Sequence, residues 1–169
     1  MTNAQYKAFV DATGCQPPQH WQGGQIPKGK EKHPVVYINW DDAQAFCQWA
    51  GVRLPTEQEW EKAARGADGR EYPWGGWQAG RCNSSEAKIG DTSPVDRFPS
   101  GASSYGALDM AGNVWEWCED LYQSGQPDRV LRGGSFGNGA QGVRCAFRSY
   151  FHPVYRSDRY GFRVASPGL

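Results

Sequence analysis

The chain has 169 residues with 18 basic and 18 acidic side chains, so its formal net charge at pH 7 is zero. A neutral chain has no overall field that favours nucleic acid or an anionic membrane, so we expect neither partner, and any charged site must be local. The mean hydropathy of -0.73 and the short apolar runs exclude a spanning helix or signal-peptide core within this sequence. The length predicts one domain over residues 1–169 in a soluble protein, with the cellular location left open.

Glycine, proline and aromatic residues dominate the composition. There are 22 Gly, 11 Pro, 8 Trp and 8 Tyr residues, a mixture typical of many turns around an aromatic interior. The five cysteines cannot all pair and include no Cys-x-x-Cys spacing, so we expect most of them to be buried and reduced.

Three helices are predicted in the first half of the chain. Thr2 and Gln5 form a capping box, and an apolar stripe follows as far as Asp11, with Gly14 as the stop signal. Apolar residues at helical spacing predict a second helix that ends at Gly51. Thr56 caps a third helix, which we expect to run to about Arg65.

Short strands are predicted mainly in the second half. One buried strand is expected earlier, at 35–38, and three more at 114–117, 130–132 and 161–164. The stretch 16–30 is predicted to be a long surface loop, and residues 66–104 contain turn chemistry without periodicity. Helices early and strands late favour an α+β fold over a βαβ array.

Seven motifs, in order along the chain, resemble the formylglycine-generating-enzyme or sulfatase-modifying-factor domain. They are TNAQY at 2–6, PVVYINW at 34–40, RLPTEQEWE at 53–61, YPWG at 72–75, YGALDMAGNVWEW at 105–117, LRGGS at 131–135 and GFR at 161–163. The resemblance covers nearly the whole chain and implies a C-type-lectin-like fold, with two or three helices packed on short twisted antiparallel sheets. It also implies that the N-terminal strands usual in that family are missing here, because Met1 aligns with a position that follows the first strand in the family.

Enzymatic activity requires a site as well as a fold. Oxidases of this family bind copper through two thiols a few residues after Arg-Gly-Gly-Ser, because monovalent copper prefers soft thiolate ligands. Here residues 136–143 contain no cysteine, and Cys145 alone cannot supply two thiolates. We therefore expect no catalytic residues and no catalytic cofactor, with a copper-dependent formylglycine-generating oxidase as the alternative.

The C-terminal region 132–164 resembles the variable protein of a diversity-generating retroelement. Framework residues alternate there with positions of unrelated chemistry. In such systems adenine randomisation cannot produce Lys, Glu, Gln, Met or Trp, and sixteen positions contain none of these five types. The sixteen predicted ligand-binding positions are Phe136, Gly137, Asn138, Gly139, Gly142, Phe147, Ser149, Tyr150, Phe151, His152, Val154, Tyr155, Ser157, Asp158, Arg159 and Tyr160.

These positions predict a solvent-facing surface on irregular backbone, with a protein or glycan as ligand. Tyrosine offers large contact area with few torsions to freeze, as in antibody paratopes. Two alternatives stay open: the aromatic residues between 147 and 160 could be core, and the domain could be an accessory scaffold with a fixed protein partner.

The resemblance also implies structural calcium. In that family the segment containing Asn113 and Glu116 supplies oxygen ligands, which suit calcium. Asn83 and Asp91 resemble a second, weaker site. The arginines at 132, 144, 148, 156 and 163 could form an anion site, but such residues more often bond backbone carbonyls.

Overall fold

The computed structural model describes residues 1–166. Helix α1 spans Asn3–Thr13, with Thr2 as its N-cap. The Thr2 side chain accepts a hydrogen bond from the backbone N–H of Gln5, and the Gln5 side chain accepts one from the backbone N–H of Thr2. The predicted capping box is therefore confirmed. Gly14 adopts a left-handed conformation at φ 68° and ends the helix.

Helices α2 (Trp40–Ala50) and α3 (Glu57–Arg65) are confirmed, and each begins at a capping box. Asn39 and Asp42 form the box of α2, while Thr56 and Glu59 form that of α3. Each box satisfies two backbone N–H groups that the first turn leaves free. The carboxylates of Asp42 and Glu59 also interact favourably with the positive end of the helix dipole.

The predicted strand at 35–38 is wrong. This segment is irregular, and Tyr37 has a φ of 58°, which interrupts extended backbone. Val35 and Ile38 are nevertheless almost completely buried, so the apolar run correctly indicated core but not strand. The long segment at 66–104 is irregular as predicted, with only short 3-10 turns at Ser85–Ala87 and Pro99–Gly101.

Four strands form one sheet in the order β3-β2-β1-β4. The strands are β1 (Trp115–Leu121), β2 (Arg129–Arg132), β3 (Arg148–Phe151) and β4 (Tyr160–Phe162). Strand β1 pairs antiparallel with β2 and parallel with β4, so the sheet is mixed rather than purely antiparallel as expected. Strand β3 corrects the expectation of irregular backbone, because residues 148–151 pair in register with β2.

The sheet separates two parts of the core. Trp117, Leu131 and Phe162 pack into the cluster that includes buried side chains of α1 and α2. Cys118 and Val130 belong to a second cluster with Trp60 and Ala64 of α3. Neighbouring residues along β1 and β2 thus face opposite sides, the two-residue alternation of a sheet covered on both faces.

All five cysteines are free, and four of them are buried, as predicted. Among residues 1–166, no helix has the length and apolarity needed to cross a lipid bilayer.

Candidate functional site

The sixteen predicted ligand-binding positions lie mostly at the surface. Eight are exposed, seven are half-buried and one, Phe136, is buried. The exposed ones are Gly137, Phe147, Tyr150, Phe151, Val154, Tyr155, Asp158 and Arg159. The half-buried ones are Asn138, Gly139, Gly142, Ser149, His152, Ser157 and Tyr160.

The first part of the set, at 136–142, is constrained by its packing. Phe136 is only 7% exposed, which corrects its expected position on the surface. The Asn138 side chain accepts bonds from the backbone and hydroxyl of Ser135, so it holds the local turn. A Cβ at Gly137 would lie 2.7 Å from a guanidinium nitrogen of Arg159. Substitutions here therefore disturb existing contacts.

The second part, at 147–160, projects from backbone that framework contacts hold in place. The carbonyl oxygen of Pro153 accepts from Trp40 N at 3.1 Å, and that of Ser157 accepts from Tyr37 N at 2.9 Å. Arg156 donates two hydrogen bonds to Asp42 at the start of α2, at 2.9 and 3.0 Å. Because these contacts use backbone and framework side chains, the intervening side chains can change without emptying the core.

An aromatic surface follows from this arrangement. Of the eight exposed large hydrophobic side chains in the described part of the chain, five lie at 147–155. We define the aromatic surface as these five, namely Phe147, Tyr150, Phe151, Val154 and Tyr155. Such a concentration of exposed apolar side chains is typical of an interaction site.

Other aromatic rings pack against the side chains of the aromatic surface. Tyr150 stacks on Tyr122 with ring centroids 4.1 Å apart, and Phe151 lies 5.4 Å from both Tyr155 and the half-buried Tyr160. Tyr122 follows β1 and was missed by the sequence analysis. No local pattern could have revealed it, because the contact depends on how β3 pairs with β2.

The thiols do not fit a copper site. Cys145 is completely buried, and burial raises the pKa of its thiol to about 12. The Cys118 thiol is also buried, and burial raises its pKa well above the usual value. Buried thiols with raised pKa values are poor sources of thiolate ligands. In the described residues, no three His, Cys, Asp or Glu side chains converge in a metal-binding arrangement.

Glu116 and Asn113 do not fit the expected calcium site, because other groups already engage their side-chain oxygens. The Glu116 carboxylate accepts from Trp60 Nε1 at 2.6 Å and from Arg163 Nη2 at 2.8 Å. The Asn113 Oδ1 atom accepts from the backbone of Ser93 at 2.9 Å. Arg163 supplies the positive charge that would otherwise come from a cation, so this carboxylate stabilises the fold as an ion pair.

Asn83 and Asp91 differ from that pair. Asn83 is fully buried, its Nδ2 donates to the backbone oxygen of Asp91 at 2.9 Å, and its Oδ1 has no hydrogen-bond partner. A buried oxygen without a donor is the kind of ligand that a hard cation satisfies. The Asp91 carboxylate, however, is balanced by Lys30 Nζ at 2.6 Å. Among the four expected calcium ligands, only Asn83 has a side-chain oxygen without a hydrogen-bond partner, and calcium binding there stays a prediction.

Three of the five framework arginines, Arg132, Arg144 and Arg163, donate to backbone carbonyls as expected, and every one except Arg144 also forms an ion pair. Arg132 is 1% exposed and contacts Glu57 and Glu61 of α3 at 3.0 and 2.6 Å, although it also donates to one carbonyl. Arg148 forms an ion pair with the same Glu57 carboxylate at 2.7 Å. Arg144 instead donates to the carbonyl of Gln141. The ion pairs of Arg132 and Arg148 tie strands β2 and β3 to α3.

Comparison with known proteins shows the family of this chain. The Sulfatase-modifying factor enzyme 1-like domain model matches residues 1–167. The inactive C-alpha-formylglycine-generating enzyme 2 of Bos taurus is 44% identical over 155 residues, which cover 81% of this chain and 51% of the relative. The chain thus spans about half the length of that curated relative.

Two solved structures share the fold. PvdO from Pseudomonas aeruginosa superposes with a TM-score of 0.82 at 23% identity, covering 96% of this chain and 76% of PvdO. Treponema denticola variable protein 1 superposes with a TM-score of 0.79 at 22% identity, covering 97% and 81% respectively. The α+β, C-type-lectin-like fold is therefore shown, and the chain belongs to the sulfatase-modifying factor enzyme 1-like domain family.

Proposed function

We propose that this chain is a non-catalytic ligand-binding domain, and that residues 147–160 are its diversified contact surface. The observation that carries the proposal is the aromatic surface, whose exposed side chains stand on backbone held by framework contacts. The proposed class is the variable protein of a diversity-generating retroelement, and the likeness in fold to Treponema denticola variable protein 1 supports it.

The chemistry of the surface suits recognition of a protein or glycan. Tyr150 and Tyr155 are 47% and 54% exposed, so each offers a broad apolar face together with a hydroxyl group. Stacking on Tyr122 restricts the Tyr150 ring before binding. A pre-organised ring loses less conformational entropy when a ligand covers it, and this increases affinity.

A library experiment tests this function. One displayed library randomises five exposed positions, Tyr150, Phe151, Val154, Tyr155 and Asp158. A control library randomises five exposed positions elsewhere, Ala12, Lys28, Glu31, Gln78 and Arg97. Both are sorted for folded protein and then for binding to the same panel of target proteins and glycans. We expect comparable folded fractions but specific binders only from the first library. Loss of folding in the first library, or equal binder yields, would contradict the proposal.

Sister sequences provide a second test, which separates this function from a fixed accessory scaffold. Under the proposal, differences between sisters concentrate at the exposed positions of 147–160 and spare framework residues such as Arg156. A near-repeat rich in Asn codons, beside a reverse transcriptase, is expected at the locus. Sisters that keep identical residues across 147–160 would select the scaffold instead.

The oxidase alternative has its own assay. The purified chain is incubated with cuprous ion, oxygen and a peptide that contains the sulfatase cysteine motif. We expect no aldehyde product, because residues 136–143 offer no thiol and Cys145 is buried. The relative named an inactive formylglycine-generating enzyme is consistent with this expectation. Catalytic formation of aldehyde would replace the binding proposal with the oxidase function.

A further inference from the structure

Strand β3 lies at the edge of the sheet, beside the aromatic surface. It pairs with β2 on one side, and within residues 1–166 no strand pairs with its other side. Tyr150 and Phe151 on this strand are both exposed. An open strand edge offers backbone N–H and C=O groups to an added extended chain.

A basic groove opens where β3 begins. It encloses about 460 Å³, and its charged lining consists of four arginines and one glutamate, Arg65, Arg70, Arg144, Arg148 and Glu71. Phe147 of the aromatic surface also lines it. The groove thus presents more guanidinium groups than carboxylates along its lining, although carboxylates outside the lining pair with three of them.

The arginines of the groove differ in how far they are already neutralised. Arg65, Arg70 and Arg148 each form an ion pair with a nearby carboxylate, at 2.6 to 2.9 Å. Arg144 donates only through Nε, to the Gln141 carbonyl at 3.1 Å, and forms no ion pair with any described residue. Its terminal nitrogens therefore remain available for a bidentate contact with a carboxylate.

We infer that the basic groove and the β3 edge together bind an acidic peptide segment in extended conformation. This inference rests on the proposed function and names the chemistry of its ligand. An acidic side chain of the segment contacts the free terminal nitrogens of Arg144, while the main chain pairs with β3 and apolar side chains contact Phe147 and Tyr150. The strand edge favours a polypeptide over nucleic acid or a sulfated glycan, because neither of these carries a matching peptide backbone.

Fluorescence anisotropy with a fluorescein-labelled hexaglutamate peptide tests the charge component. We expect saturable binding that weakens with salt, and no binding of labelled hexalysine. Arg144→Glu is expected to weaken hexaglutamate binding roughly tenfold, because it replaces an attractive charge with a repulsive one. Arg97→Glu is the matched control, since Arg97 is exposed and lies outside the groove. The affinity of this variant for hexaglutamate should equal that of the wild type. Equal loss in both variants, or no binding by the wild type, overturns the inference.

The same assay tests the strand edge. Hexaglutamate N-methylated at alternate residues keeps its charge but loses main-chain donors, and we expect it to bind at least fivefold more weakly. A heparin hexasaccharide or single-stranded DNA that competes better than unlabelled hexaglutamate would overturn the choice of a peptide. Circular dichroism checks that the Arg144→Glu variant is folded. If that variant is unfolded, Arg144→Gln is used instead, with an expected threefold loss of hexaglutamate affinity.

Failure of this inference is distinguishable from failure of the proposed function. If hexaglutamate does not bind but the randomised library yields binders, the acidic-peptide inference falls and the recognition surface stands. If neither binds, both fall.

Discussion

Replacing Trp117 and Tyr155 separately by alanine tests whether the framework and the aromatic surface are energetically distinct. Trp117 is completely buried, and its Nε1 donates to the carbonyl of Ile38 at 3.3 Å. Truncating a buried tryptophan costs about 3–5 kcal/mol through lost burial and the remaining cavity. At about 3 °C per kcal/mol for a chain of this size, we expect Trp117→Ala to lower the Tm by about 12 °C.

Tyr155→Ala should behave differently. The Tyr155 side chain is 54% exposed and contacts Phe151 at the surface, so its loss is expected to cost less than about 1 kcal/mol. Trp49→Ala is a matched control, because Trp49 is also a tryptophan but is 45% exposed. Urea unfolding followed by circular dichroism, with reductant present, measures all three free energies, and thermal unfolding followed in the same way measures the Tm. A loss for Tyr155→Ala equal to that for Trp117→Ala would place the aromatic surface in the core and refute the reasoning.

Three further predictions concern the half-buried Asp109, the five thiols and calcium. Burial raises the pKa of Asp109 to about 7, so the folded state holds an extra proton and stability falls as pH rises from about 4 to about 7. Asp109→Asn should flatten that part of the stability profile in urea unfolding, and an unchanged slope would contradict this. A thiol reagent should label only Cys15 rapidly in the native chain, because the other four thiols are buried, and mass spectrometry after digestion reads the site. If Asn83 binds calcium, the Tm should be higher in calcium than in EGTA. Asn83→Ala should then abolish this difference in Tm, whereas Glu116→Gln should keep it, because Glu116 is paired with Arg163. An unchanged difference in Asn83→Ala would assign calcium to another site.

The features that the sequence alone determined depend on residues close together in the chain. The capping boxes at Thr2 and Thr56 and the stop at Gly14 were predictable, because each involves hydrogen bonds within three or four residues or a local backbone preference. Composition also indicated the loops and the aromatic interior. The irregular mixture of aromatic and polar residues at 147–155 favoured exposure, but the core alternative stayed open until the structure showed these side chains exposed.

Features that depend on which distant segments meet were decided only by the tertiary structure. Strand β3 exists because residues 148–151 pair with β2, and the apolar run at 35–38 is buried without a strand partner of its own. Phe136 is buried and Arg159 lies over its ring, while Glu116 pairs with Arg163, which directly follows strand β4. The basic groove likewise requires α3 and the start of β3 to lie side by side. Burial and charge compensation depend on the full set of surrounding atoms, and local sequence patterns do not contain that information.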